Sequence, residues 1–107
     1  MKMKNKLELL EDPWEKFDCT PIEINKELTR EVIKNHVLFN VKANAIAHRI
    51  DCDDVLFEIL NHDKKFAVVH LTYSKETDPE WPYTQLYESF EEWKLERYLP
   101  DVKDYNY

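Results

Sequence analysis

Val55-Leu56-Phe57-Glu58-Ile59-Leu60 and Phe66-Ala67-Val68-Val69-His70-Leu71-Thr72-Tyr73 are the two runs whose reading decides the fold. Both are rich in β-branched and aromatic side chains and are bounded by turn residues, the signature of strands. The connection Asn61-His62-Asp63-Lys64-Lys65 is of hairpin length, so the two strands are expected to be antiparallel. Upstream, Val41 to Ile50 has no helix cap before it and alternates at Ile46, His48 and Ile50, which predicts a third strand. It joins the second through Asp51-Cys52-Asp53-Asp54, giving a three-stranded antiparallel meander. In the third strand Ala67, Val69, Leu71 and Tyr73 oppose Phe66, Val68, His70 and Thr72; in the second, Val55, Phe57 and Ile59 oppose Leu56, Glu58 and Leu60. Both sheet faces are apolar enough to need at least partial cover.

Helix signals flank the meander. Thr20-Pro21-Ile22-Glu23 places Thr at N-cap, Pro at N1 and Glu at N3, and predicts a helix from Pro21 to Ile33 with Ile24, Leu28 and Val32 on one face. Ser89-Phe90-Glu91-Glu92 is a second capping box, opening a helix that Pro100 is expected to stop at Leu99. Phe90, Trp93 and Arg97 or Tyr98 share a face of it, and Glu91 and Glu92 lie in its first turn, where the helix dipole favours anions. Leu7, Leu10, Trp14 and Phe17 predict a short, loosely attached N-terminal helix within residues 1 to 19, and Ser74 to Pro82 reads as a polar loop. The expected architecture is therefore a single α+β domain spanning 1-107, a three-stranded antiparallel meander with N-terminal and C-terminal helices packed on one face.

The chain has 107 residues and no glycine, where average usage of about 7% would supply roughly seven. This excludes the phosphate-cradling loop, the dinucleotide fingerprint GxGxxG, the nucleophile elbow GxSxG and the EF-hand loop, all of which need a glycine backbone. It also passes any left-handed positions to Asn and Asp, the residues that tolerate them next best. Cys19 and Cys52 fit neither a redox CxxC nor a zinc ribbon and are expected to be reduced thiols. The start of the chain is too poor in apolar residues for a signal peptide, and nowhere do eighteen apolar residues run together, so a cytoplasmic protein with no membrane span is expected.

The formal net charge of −7 is unevenly spread. Residues 1 to 40 carry seven basic and eight acidic side chains, residues 41 to 75 five and five, and residues 76 to 107 three and nine. That last stretch, from Trp81 onward, also holds eight of the fourteen aromatics. Carboxylates among Trp and Tyr have the wrong sign for nucleic acid but suit a basic protein partner: aromatics anchor, and acids steer association.

Two other constellations carry chemistry on paper. His48, Glu58 and His70 on adjacent strands would, if they converged, supply two imidazoles and a carboxylate for a metal or an acid/base pair. Asp51, Asp53 and Asp54 around Cys52 form an acidic turn, explained first by turn chemistry without glycine and second by a cation or a basic partner. The carboxylates would raise the Cys52 thiol and make it a poor nucleophile. His36 and His62 lie in loops and are expected to be exposed.

DCDDVLFEIL, FAVVHLTYS, DPEWP and SFEEW, taken together over residues 34 to 98, resemble a family of small acidic bacterial proteins with a DNDDVLFEL, YAVVHLTWS, Trp-Pro pattern, similar in size to immunity proteins of polymorphic or contact-dependent toxins. The chain departs from that pattern at Cys52 and at Tyr73, where the pattern has Trp. The resemblance implies a class of role, an intracellular inhibitor of a cognate toxin, and its pattern offers no catalytic residue. The acidic, aromatic surface suits a basic nuclease or transferase domain as that toxin, and no cofactor or metal is expected. The partner-binding residues expected from charge and aromaticity are Asp51, Asp53, Asp54, Glu88, Glu91 and Glu92, with Trp81, Tyr83 and Tyr87 as anchors. The inhibitor would act as a monomer or homodimer, without direct contact to nucleic acid or membrane. The alternatives are a small hydrolase using His48, Glu58 and His70, and a structural or regulatory subunit that docks through its aromatic helix.

Overall fold

A computed structural model describes residue 7 and residues 9–106. Its centre is a five-stranded antiparallel sheet in the order β1-β2-β3-β4-β5, formed by β1 Trp14–Lys16, β2 Ala43–Arg49, β3 Asp54–Ile59, β4 Phe66–His70 and β5 Thr84–Tyr87. The expected meander is the middle of this sheet, and the count of three strands is corrected to five by one strand at each edge. Both were hard to read for a physical reason: β1 has three residues, too few for alternation to show, and β5 begins with the polar pair Thr84 and Gln85. Residues 1–6 and 8 lie outside the described residues; from 9 to 19 the chain makes turns and β1 where a helix was expected. Trp14 is buried there, edge-on to Trp93 with ring centroids 5.2 Å apart.

The helices cover opposite faces of the sheet, which corrects the expectation of one shared face. Helix α1, Ile22–Glu31, places Leu28, flanked by Ile24 and Val32, against Ala45, Val55, Phe57, Ile59, Ala67, Val69 and Leu71. On the other face Phe90, Trp93 and Tyr98 pack with Trp14, Ala47, Leu56, Phe66 and Val68. The alternation in β3 and β4 required this. Burying a Val, Leu or Phe side chain gains about 1.5–3 kcal/mol, so neither apolar face can be left to water.

The two caps differ. Ser89 Oγ accepts the Glu92 amide at 3.1 Å, and a Glu92 carboxylate oxygen accepts the Glu88 amide at 2.7 Å, so the second capping box forms with its return bond one residue early. The first does not form: α1 starts after Pro21 without a side-chain cap, and the Ile22 amide donates instead to the Thr20 carbonyl at 3.0 Å.

The C-terminal helix also runs past its expected stop. It consists of α2 Phe90–Trp93, a π-helical turn Lys94–Tyr98 and α3 Leu99–Tyr105. In the wide turn the Leu99 amide donates to the Lys94 carbonyl five residues back, and Pro100 follows in the first turn of α3. Proline breaks a helix because it lacks a donor and its ring clashes with the carbonyl four residues back; opening the preceding turn relieves that clash.

A bulge in β2 settles the remaining geometry. Ala45 pairs with Phe57 and Ala47 with Leu56, so Ile46 is the extra residue and side-chain parity reverses across it. Ala45 and Ala47, two apart, end up in opposite cores.

Candidate functional site

Asp54 opens β3 and pairs with His70, the last residue of β4, so the two side chains project from the same face as cross-strand neighbours. His70 Nδ1 lies 2.6 Å from Asp54 Oδ1. A carboxylate only accepts, so Nδ1 carries the proton and Nε2 is the ring nitrogen left to the surroundings. The π-helical turn above this face carries Arg97, which donates from Nη2 to Asp54 Oδ2 and from Nε to Asp101 Oδ2 at 2.7 Å. Asp101 Oδ2 also accepts from Trp14 Nε1 at 2.9 Å and lies 3.2 Å from Arg49 Nη1. Arg49 in turn forks onto Asp51, Nε to Oδ1 at 2.8 Å and Nη2 to Oδ2 at 2.7 Å.

The result is a chain of polar contacts, His70–Asp54–Arg97–Asp101–Arg49–Asp51, alternating in charge from Asp54 onward and tying β2, β3 and β4 to the C-terminal helix. Burial by itself would raise the Asp54 carboxyl, but the hydrogen bonds and charges of Arg97 and His70 outweigh it and hold the group below the ordinary carboxylate range. Burial likewise works against the Arg97 charge, and Asp54 and Asp101 overcome it, so the guanidinium is raised. Asp51 is lowered chiefly by its hydrogen bond from Arg49. Arg97 also stands over the Trp14 ring at 5.6 Å and reaches Gln85 Oε1 at 3.4 Å.

Beside this network lies a cavity of about 330 Å³ lined by Asp54, Val68, His70, Trp81, Tyr83, Gln85 and Arg97. Trp81 and Tyr83 are 46% and 55% exposed, so two large aromatic rings stand in water at its rim. The Tyr83 carbonyl accepts the His70 amide at 3.0 Å, which fixes the rim to the end of β4.

The nine residues expected to bind a partner do not form one patch. Trp81, Tyr83, Asp51 and Asp53 lie at the His70 end of the sheet. Glu88, Glu91 and Glu92 follow β5 at the Phe66 end, about 13 Å away along four residues of strand. There Glu88 pairs with Lys64 at 3.2 Å. Tyr87 is no anchor: it is buried in the core, its hydroxyl donating to Gln85 Oε1 at 3.1 Å. Asp54 is committed to Arg97 and His70.

The expected convergence of His48, Glu58 and His70 does not occur. Past the bulge His48 pairs with Val55 and faces the α1 side, stacked on Phe17 with ring centroids 4.6 Å apart. Glu58 is on the His70 face but four residues from Asp54 along β3, about 13 Å. Among the described residues no group of three or more His, Cys, Asp or Glu is arranged to hold a metal ion. Cys19 and Cys52 are exposed free thiols, and desolvation of its sulfur, followed by the Asp54 and Asp51 charges, pushes Cys52 up.

Sequence reasoning passed over several of the residues that matter here. Arg97 and Asp101 stand at i,i+4, a legible helical ion pair, but Pro100 between them argued against one helix. His36 is buried rather than exposed: Nδ1 accepts the Leu38 amide at 2.9 Å, so Nε2 carries the proton and donates to the Pro82 carbonyl at 2.9 Å. Glu31, expected only as part of α1, is fully buried and binds the backbone of Thr72 and Tyr73.

The chain matches no protein-family model, and neither a curated protein nor a solved structure is found similar to it. Among the described residues no helix is long and apolar enough to cross a membrane.

Proposed function

We propose that this chain is a cytoplasmic immunity protein that neutralises a cognate toxin, a basic nuclease or transferase domain, by binding it through the His70 end of the sheet. The observation that carries the reading is the pair Trp81 and Tyr83, held half-exposed over a cavity whose floor is a fixed ion-pair network. Large aromatics on a rigid frame make strong anchors, because little side-chain entropy is lost when a partner covers them. Asp51 and Asp53 at the same end of the sheet, within an overall charge of −7, favour a basic partner and fast, salt-sensitive encounter. The acids at the Phe66 end act at longer range, through the field they add.

The test is a binding titration against the product of the adjacent gene, with growth rescue on co-expression. Trp81→Ala and Tyr83→Ala should each weaken the complex at least tenfold. Wild-type affinity in both would remove the reading. Light scattering of the purified chain separates a monomeric or dimeric inhibitor from a subunit of a larger assembly.

One observation favours a second reading, acid/base chemistry by His70 alone: Asp54 fixes its tautomer and leaves Nε2 to the cavity. The trio with His48 and Glu58 plays no part in it. It predicts that His70→Ala abolishes turnover without loss of fold, whereas an inhibitor would keep its affinity to within a few-fold.

A further inference from the structure

Glu27 and Glu31 are buried carboxyls one helical turn apart on the same face of α1, so burial opposes the ionisation of both at once. Glu31 also grips the segment that follows β4. Its Oε1 accepts the Thr72 amide at 2.8 Å and lies 3.1 Å from the Thr72 hydroxyl, and its Oε2 accepts the Tyr73 amide at 2.7 Å. Tyr73 sits there at φ 55°, a left-handed conformation that an aromatic residue keeps only when its surroundings impose it. Its ring is 55% exposed, at the end of the sheet that carries His70.

We propose that the Glu27–Glu31 pair is a proton-controlled latch that holds Thr72–Tyr73, and with them the Tyr73 ring, in place at the binding face. The consequence for binding rests on the function proposed above, but the latch itself does not. Ionising both carboxyls would set two like charges one helical turn apart out of water, and Arg30, the cation bonded to the pair among the described residues, is already engaged by Glu27. The Thr72 hydroxyl gives no full relief, because its single proton is shared with Glu76 Oε2. The other charged or titratable groups at hand are Lys75 and Tyr73, which line a cavity of about 510 Å³ with Glu27 and Arg30, Glu23 near Arg30, and Asp53 near Tyr73. That cavity gives water a place beside the pair once the segment lifts. Burial first, and the Glu27 carboxyl second, push Glu31 up to about 7.

The sign follows from proton linkage. Opening hydrates Glu31 and returns it toward 4.5, so the open form binds the proton less tightly than the closed one. The opening constant therefore rises tenfold per pH unit between those two values and is level above about 7. Hydrogen exchange on the free chain reads this directly. Corrected for intrinsic exchange, protection of the Thr72 and Tyr73 amides should fall about 40-fold from pH 5 to pH 7 and then level off. Val68 and Val69, paired within the sheet, should show no such step.

Glu31→Gln should flatten the profile. Glu27→Gln, which leaves the backbone acceptors in place, should shrink the fall and serves if the first variant does not fold. A profile flat from pH 5 to 8 in the wild type, or the same fall in wild type and both variants, overturns the latch. If the protection profile follows this course while affinity for the partner is unchanged by Tyr73→Ala, the latch stands and Tyr73 lies outside the binding face.

Discussion

His70 Nδ1 and Asp54 Oδ1 stand 2.6 Å apart where two strands meet, and the other oxygen of the same carboxylate is held by Arg97 from the π-helical turn. One residue thus joins the sheet to the helix above it. The Asp54 side chain is 14% exposed and that of Arg97 18%, so removing the acid leaves a largely buried cation with Asp101 as its one remaining carboxylate among the described residues. Asp54→Ala should destabilise the protein by about 3 kcal/mol in urea unfolding. Asp51→Ala, at a side chain 37% exposed, should cost under about 1 kcal/mol, although its fork with Arg49 is geometrically as good. Equal losses would mean that burial does not set the worth of these pairs.

Acid should expose the same linkage. Asp54 is lowered in the fold relative to its ordinary value of 3.8, so the folded state binds its proton less tightly than the unfolded chain does. Its contribution is complete above that ordinary value and disappears as pH falls through the lowered one. Thermal unfolding followed downward from pH 5 should show a steep decline in the wild type and a shallower one in Asp54→Asn. Parallel declines would assign the acid limb to other carboxyls.

At the rim of the cavity, stability and binding should separate cleanly. Trp81→Ala and Tyr83→Ala remove half-exposed rings and should change stability by under about 1 kcal/mol while costing about 1.4 kcal/mol or more, a factor of at least ten, of affinity for the partner. Tyr87→Ala opens the core and should cost about 3–5 kcal/mol of stability, with affinity kept under conditions where the variant is folded. Raising salt should slow association far more than it speeds dissociation, as stopped-flow mixing would report; a salt-insensitive on-rate would count against steering by the acids.

What was legible in the sequence follows from how far each signal reaches along the chain. Phe66 to His70 and Val55 to Ile59 announced themselves because strand composition is local, and Ser89 with Glu92 because a cap is local as well. The β2 bulge is not: one extra residue at Ile46 turned His48 to the opposite face and dissolved a three-residue site that alternation alone had suggested. Pro100 misled for the related reason that its effect depends on the turn before it, and the wide turn at Lys94–Tyr98 is what lets Arg97 and Asp101 act in one helix. The acidic C-terminal third was correctly seen as charge, but β5 puts its two halves at opposite ends of a strand. The buried roles of Glu31 and His36 depend on partners about forty residues away, so no local pattern marks them.

Trp14 and Trp93 give the sharpest comparison of packing with polarity, since both rings are buried and touch edge-to-face. Trp14 donates from Nε1 to Asp101 at 2.9 Å, whereas among the described residues Trp93 Nε1 has no hydrogen-bond partner. Replacing either indole by phenyl removes similar apolar area. At position 93 the change also removes a buried donor that nothing satisfies, which offsets part of the packing loss. At position 14 it takes a donor from Asp101 and thins the ring beneath Arg97, both of which add to the loss. Trp14→Phe should therefore be less stable than Trp93→Phe by about 1 kcal/mol in denaturant unfolding. If the two variants unfold at the same midpoint with the same slope, the indole N–H of Trp14 contributes nothing net and the ion-pair network holds Asp101 unaided.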